Sequence, residues 1–425
     1  MISGQTVVFI SSIEWDFLWQ GHQEIATRFA ESGNTVLYIE NLGVRSPGFR
    51  DRKRIAQRLK SLWRAWPRGG ITQVDRNLYV CPPLVLPPFG SRLRRAVNQL
   101  LLKVLLRRVR RRLNLKEGFI ISYLPTDTAV DLAKLLRTSG STLIYYCIAD
   151  FSELTPHQTK LNESERTLVQ TSDLLFAQCP DLAAHFARWT QSDIHIFPFG
   201  VNLERFDFDA ARPLDNRQQQ LPGPRIGYVG GIHKHFDIPL LVEMARSRPE
   251  WSWVLIGAIQ TSVAALQSLP NVHLLGQLPH KELASHIANF DVCIVPYVSS
   301  SYTATVVPTK INEYLAMGKP VVSTTLRSVV QFNRDNHSVL VTADNSPTDF
   351  LEGIERALAS ANDPLAVGRR RAIAVQADWT ERAERMSQLM EQALPEKPQQ
   401  SVTLEPQSSI TDGRTKVLVD VPAES

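Results

Sequence analysis

The chain has 425 residues, 43% hydrophobic and 21% charged, with 47 Lys and Arg against 42 Asp and Glu. That length predicts more than one domain, and the balance excludes a fibrous or largely disordered protein. No apolar run approaches the ~18 residues of a membrane-spanning helix. The N-terminal stretch lacks the pattern of a signal peptide, and the four cysteines (Cys81, Cys147, Cys179, Cys293) form no CxxC pair. A zinc cage or disulfide framework is not expected, and a reducing, cytoplasmic setting is.

In chain order, short apolar runs alternate with longer helical patterns, as parallel sheets flanked by helices require. Strands are predicted at 6–11, 35–39, 78–81, 119–123, 142–147, 174–177 and 195–198, with a helix over 24–32 stopped by Gly33-Asn34. The Gln- and Pro-rich stretch 201–224 reads as a polar linker. The alternation then restarts, with strands at 225–229, 253–256, 272–275, 292–296, 320–323 and 338–341, and helices at 238–247 and 378–394. Residues 395–425, rich in Pro, Gln, Ser and Thr, read as a disordered tail. The expectation is an α/β protein with one domain over 1–200, a linker over 201–224 and a second domain over 225–377. Ligands of such sheets bind at the carboxyl ends of the strands, here in a cleft between the two domains.

Charge is unevenly spread. Residues 45–70 carry nine basic side chains and one acid, and residues 92–116 carry ten and none, so the rest of the chain is net acidic. Leucines and tryptophans are interleaved with these charges, the composition of helices that lie in the headgroup layer of an anionic membrane. Arg107, Arg108, Arg110 and Arg111 are the expected membrane-facing residues. A solvated helix face with its leucines in the core is the alternative. No nucleic-acid-binding motif accompanies the patches, so nucleic acid is not the expected anion.

Two segments carry chemistry in the second half. The run 226–234 places Gly230-Gly231 directly after a strand, where backbone N–H groups are free to meet a phosphate, followed by His233 and Lys234 as sources of positive charge. It is not GxGxxG, and the next strand ends in Gly257-Ala258 with no ribose-binding acid, which argues against a dinucleotide enzyme. The run 308–322 puts Thr309, Lys310 and Glu313 at the start of a helix. There a lysine suits a diphosphate and a carboxylate one turn on suits a ribose diol. A surface ion pair between Lys310 and Glu313 is the plainer reading.

The segment PTKINEYLAMGKPVV (308–322) resembles the donor-nucleotide motif of GT-B glycosyltransferases of the GT4-like group. Gly230-Gly231, the runs 270–276 and 290–296, Phe199-Gly200-Val201-Asn202 and Asp378-Trp379 resemble further segments of that family. The closest pattern is the bacterial subgroup that includes teichuronic-acid and xanthan glucuronosyltransferase-like enzymes. The resemblance implies two Rossmann-like domains facing across a cleft, an acceptor-binding one first and a donor-binding one second, with a C-terminal helix over 378–394 crossing back to the first. It implies a nucleotide-sugar donor, UDP-linked in expectation, and a glycan or lipid-linked acceptor in cell-surface polysaccharide synthesis. Retaining members carry two glutamates; Thr305 stands where the first would fall, which leaves inversion or retention open.

An inverting transfer needs a base for the acceptor hydroxyl. Asp150, in a segment similar to the subgroup's YDCxDD, is the leading candidate, with helix N-capping as its plainer role. The resemblance implies that the loop 14–23, after the first strand, reaches the acceptor, which makes Asp16 and His22 alternatives to Asp150. Trp15, Trp19 and Gln23 are the expected acceptor contacts, with core packing the alternative for the tryptophans. Asp207-Phe208-Asp209 has a DxD pattern but reads as exposed acids. With a lysine available for the diphosphate, neither metal nor cofactor is expected. The expected location is the cytoplasmic face of an anionic membrane. A nucleotide-sugar 2-epimerase and a non-catalytic membrane-bound scaffold of the same architecture stay open.

Overall fold

The computed structural model describes residues 1–43, 70–210, 218, 220–300, 303, 308–342 and 344–394. The charged residues of the first basic window, Thr305 and the tail 395–425 lie outside the described residues. The chain divides into two units, Met1–Pro198 together with the residues from Arg382 onward, and Phe199–Glu381.

The first unit is built on β1 (Thr6–Ile10), β2 (Thr35–Ile39), β3 (Thr72–Asp75), β4 (Leu78–Cys81), β5 (Gly118–Ser122), β6 (Thr142–Cys147), β7 (Leu174–Ala177) and β8 (Ile194–Ile196). They form one sheet in the order β3-β4-β2-β1-β5-β6-β7-β8. Every pairing is parallel except β3 with β4. Strands such as TVVFI in β1 are buried at every position, as strands covered on both faces must be. The edge strand β3 (TQVD) was not anticipated, because its polar, mostly exposed residues carry no core signal. Its helices are α1 (Gly21–Glu31), α2 (Arg92–Leu113), α3 (Asp127–Leu136), α4 (Gln158–Thr171) and α5 (Pro180–Ala187).

The second unit has β9 (Arg225–Val229), β10 (Ser252–Ile256), β11 (Val272–Gly276), β12 (Val292–Val295), β13 (Val321–Ser323) and β14 (Val339–Val341). These form an all-parallel sheet in the order β11-β10-β9-β12-β13-β14. Its helices are α6 (Ile238–Ser247), α7 (Ala264–Gln267), α8 (Leu283–Ala288), α9 (Lys310–Ala316), α10 (Arg327–Asn336), α11 (Pro347–Ala359) and α12 (Pro364–Val375). A last helix, α13 (Trp379–Gln392), starts in this unit and from Arg382 belongs to the first.

The stretch expected to be a linker is not a separate piece where it is described. Val201 and Phe206 are buried in the core of the second unit, and Val201 forms a bridge with Asp378. Its apolar positions outweigh the polar composition around them.

Each sheet reverses its strand order once, between β1 and β5 in the first unit and between β9 and β12 in the second. At such a switch point the flanking connections diverge and leave a crevice outside the carboxyl ends of the strands. Among the described residues no helix is long and apolar enough to cross a membrane.

Candidate functional site

The carboxyl end of β9 runs into Gly230, whose N–H donates to the Ile256 carbonyl (2.8 Å). Gly230 has φ +147° and Gly257, just past β10, has φ +150°. A Cβ on Gly257 would stand 1.8 Å from the Gly230 oxygen, and a Cβ on Gly230 would stand 2.9 Å from the Lys310 Cε and Nζ atoms. Only glycines allow this backbone to close up and leave room for the lysine.

Lys310 opens α9 and is only 9% exposed. Its ammonium donates to the Tyr297 hydroxyl and lies 4.7 Å from the Tyr297 ring centroid and 4.9 Å from that of Tyr228. The Tyr228 hydroxyl donates to the Gly231 carbonyl (2.9 Å) and lies 3.1 Å from that of Tyr297. Two aromatic faces thus steer the cation to the switch point between β9 and β12. Among the described residues no carboxylate pairs with Lys310. A buried ammonium with ring faces and a hydroxyl around it, but no carboxylate, is chemically suited to an anion.

His233 reinforces the point but corrects its expected role. Burial, then repulsion from Lys310, His235 and Lys234, lowers its pKa to about 4. It is uncharged at neutral pH and contributes hydrogen bonding, its Nδ1 accepting from the His235 N–H (3.2 Å). Lys234 is exposed, and Gly231 is buried beside Gln260. Thr309 stands at the N-cap of α9, half-buried, with no side-chain capping bond.

Glu313 does not pair with Lys310. Its Oε1 lies 3.4 Å from His280 Nε2, and His280 Nδ1 lies 2.7 Å from an Arg205 guanidinium nitrogen. A guanidinium only donates, so Nδ1 accepts and the ring proton sits on Nε2, facing the carboxylate. Arg205 and His280 thereby hold Glu313 in place. His280, Tyr228 and Tyr297 carried no distinguishing signal in the sequence. They come from different strand ends and meet Lys310 and Glu313 only once the sheet is formed.

In the first unit, Asp150 N-caps the short turn Phe151–Leu154, accepting from the Ser152 N–H (2.9 Å), and is half-buried. His22 lies in the first turn of α1, 1% exposed, its Nε2 3.0 Å from the Ser12 hydroxyl and its ring 4.2 Å from that of Tyr123. Burial lowers its pKa to about 3, so the imidazole is neutral. Its Nδ1 and the Tyr123 hydroxyl have no hydrogen-bond partner among the described residues. Both belong to the β1/β5 switch point. Asp16 is exposed.

The remaining expected acceptor contacts are engaged in building their own loop. Gln23 is fully buried, its Oε1 accepting from the Gln20 N–H (3.0 Å) and its Nε2 donating to the Trp15 carbonyl (3.2 Å). It anchors the loop, because both halves of its amide are consumed there. Trp15 and Trp19 are half-buried and stack edge to face, with centroids 5.8 Å apart; Trp15 also packs on Tyr38, and Trp19 Nε1 donates to Glu24 (2.8 Å). Asp209 pairs with Arg371 at 2.6 Å. Among the described residues no group of three or more His, Cys, Asp or Glu could hold a metal.

Residues 223–360 match the family described as glycosyl transferases group 1. That stretch is a group 1 glycosyl transferase domain. The chain is 29% identical over 234 residues to a putative teichuronic acid biosynthesis glycosyltransferase, TuaH, of Bacillus subtilis; the match covers 52% of this chain and 59% of that protein's length. Among solved structures, sucrose-phosphate synthase from Thermosynechococcus elongatus superposes with a TM-score of 0.64 at 17% identity, over 91% of this chain and 98% of that one. HepE of Anabaena, in complex with UDP and glucose, gives 0.59 at 15% identity over 91% and 99%. At these identities the structural likeness shows the GT-B fold.

Proposed function

We propose that this GT4-like chain transfers a sugar from a UDP-linked donor to a glycan or lipid-linked acceptor during cell-surface polysaccharide assembly, at the cytoplasmic face of an anionic membrane. The observation that carries the reading is the buried ammonium of Lys310 against the Gly230 turn, with no carboxylate partner among the described residues. A diphosphate there supplies the missing counter-charge. As the anomeric carbon–oxygen bond breaks, negative charge accumulates on that diphosphate, and Lys310 stabilises it without a metal. Glu313, held by His280, accepts from the ribose hydroxyls.

Asp150 is the base we assign. The acceptor oxygen bonds to the anomeric carbon and its proton passes to the carboxylate, which the Ser152 N–H orients and which stays partly open to solvent. His22, buried to 1%, is too enclosed to meet a sugar hydroxyl as the loop stands. The relative's name, a teichuronic acid biosynthesis glycosyltransferase, supports the polymer class, and HepE bound to UDP and glucose supports the nucleotide.

Calorimetry with UDP tests the reading. Binding that weakens at least about tenfold in Lys310→Ala is expected, since a charge-assisted contact is lost. Equal affinity in the variant would remove Lys310 from the site. Conversion of a UDP-sugar with no acceptor present would replace transfer by epimerisation.

A further inference from the structure

Helix α2 has two apolar faces. Asn98, Leu102, Leu106 and Val109 are buried against the first unit. About half a turn away, at the same intervals of three and four, lie Leu93, Val97, Leu100 and Val104, of which Leu93 is 74% and Leu100 62% exposed. The same outward line continues through Arg107 and Arg111. One pole of the helix is therefore apolar for about 16 Å and cationic beyond it. The helix carries nine basic residues and no acid.

Two further exposed leucines stand beside it. Leu86 is strapped to the helix, its N–H donating to Asn98 Oδ1 (2.7 Å) and its carbonyl accepting from Asn98 Nδ2 (3.0 Å); Leu84, two residues earlier, is 55% exposed. Not all of the arginines face outward. Arg95 is engaged with Asp131 (2.7 Å), and Arg110 donates to the Leu135 carbonyl at the end of α3 (3.1 Å). Arg110, expected to face a membrane, is thus turned toward its neighbouring helix.

We propose that the outward pole of α2 is a bilayer-docking surface for anionic phospholipid, with Leu93, Val97, Leu100 and Val104 entering the boundary between headgroups and acyl chains and Arg107 and Arg111 on the phosphates. The charge pattern selects this occupant. A second copy docked on the same pole would bring two acid-free cationic helices together. A nucleic acid would neutralise the arginines and leave the leucines uncovered. A bilayer interface satisfies both halves of the line at once. The inference deepens the membrane part of the proposed function, and its geometry is independent of the donor pocket.

The test is sedimentation of the full chain with phosphatidylcholine vesicles, with and without about one-third phosphatidylglycerol. Binding to the anionic vesicles alone is expected. Leu93→Ser/Leu100→Ser, which keeps every charge, should weaken it about thirtyfold, and Arg107→Gln/Arg111→Gln about tenfold with a smaller salt dependence. Unchanged binding by the leucine variant, or equal binding to neutral vesicles, overturns the proposal. So does a wild-type dimer in the absence of lipid that this variant dissolves, because the line would then be an interface between copies. Wild-type UDP affinity in both variants shows that they fold. If UDP binds neither variant nor wild type while the vesicle results hold, the donor reading fails and the docking surface stands.

Discussion

The two switch points of this molecule are finished in opposite ways. In the second unit a cation is buried between two tyrosine rings, with no carboxylate to match it among the described residues. In the first, the loop polar groups satisfy one another: Gln23 holds the loop backbone, Trp19 is bonded to Glu24, and Trp15 donates its N–H to Glu40 (2.9 Å). One pocket presents a buried cation, whereas in the other most loop polar groups are already bonded, with His22 Nδ1 and the Tyr123 hydroxyl the exceptions among the described residues.

Lys310 gives the sharpest way to break this contrast. Lys310→Met should lower turnover about a thousandfold, the scale of losing a main electrostatic stabiliser, while raising the unliganded melting temperature because a buried unpaired charge is gone. Kinetics and thermal melts on one preparation check both halves; a drop in stability would show that the ammonium is already compensated. Asp150→Asn should cost about a hundredfold in kcat with donor affinity intact, measured by steady-state kinetics beside calorimetry. An active Asp150→Asn would shift the base to Asp16.

Gly230→Ala tests the close approach itself. A Cβ at 2.9 Å from Lys310 Nζ on a backbone at φ +147° should destabilise the chain by about 2 kcal/mol and weaken UDP binding, read by denaturant melts and titration.

The acid response should come from a buried histidine in each unit, His22 in the first and His233 in the second. His22 takes up its proton near 6.5 when unfolded and at about 3 when folded. The unfolded state therefore binds more protons between those values, so stability is intact above that window and falls as the solution is acidified. The loss from His22 is about 2 kcal/mol at about pH 5. His22→Gln should flatten the slope over this range, and an unchanged slope would assign acid sensitivity elsewhere. The smallest effect expected is that of His280→Asn. Loosening Glu313 should raise the donor KM about threefold with little change in kcat, since a positioning bond to a partly exposed carboxylate is worth about 1 kcal/mol.

Much of the fold was legible because parallel strands buried on both faces are continuous apolar runs, and strands such as 35–39, 142–147 and 174–177 are found where those runs lie. The helix start was legible for a related reason: Thr309, Lys310 and Glu313 are close in sequence and open one helix. What escaped was assembled across distance. His280 reaches Glu313 from another connection, and Tyr297 reaches Lys310 from the end of β12. Nothing in the sequence shows that both halves of the Gln23 amide are bonded within its own loop. The stretch after Gly200 misled through composition, its glutamines and prolines masking the buried Val201 and Phe206. On α2 the two opposed apolar faces read as ordinary amphipathicity until the exposure of Leu93 and Leu100 separated them.

The division of the chain at Arg382 has a consequence for biosynthesis. The Ile2 N–H donates to the Ser387 hydroxyl (2.5 Å), the Thr142 hydroxyl donates to the Ala393 carbonyl (3.1 Å), and Met386 and Met390 are buried. The part that emerges first from the ribosome therefore lacks a piece of its own core until almost 200 further residues have been made. The later, contiguous unit reaches completion before the earlier one, and the nascent front half is the segment most in need of chaperone cover while it waits.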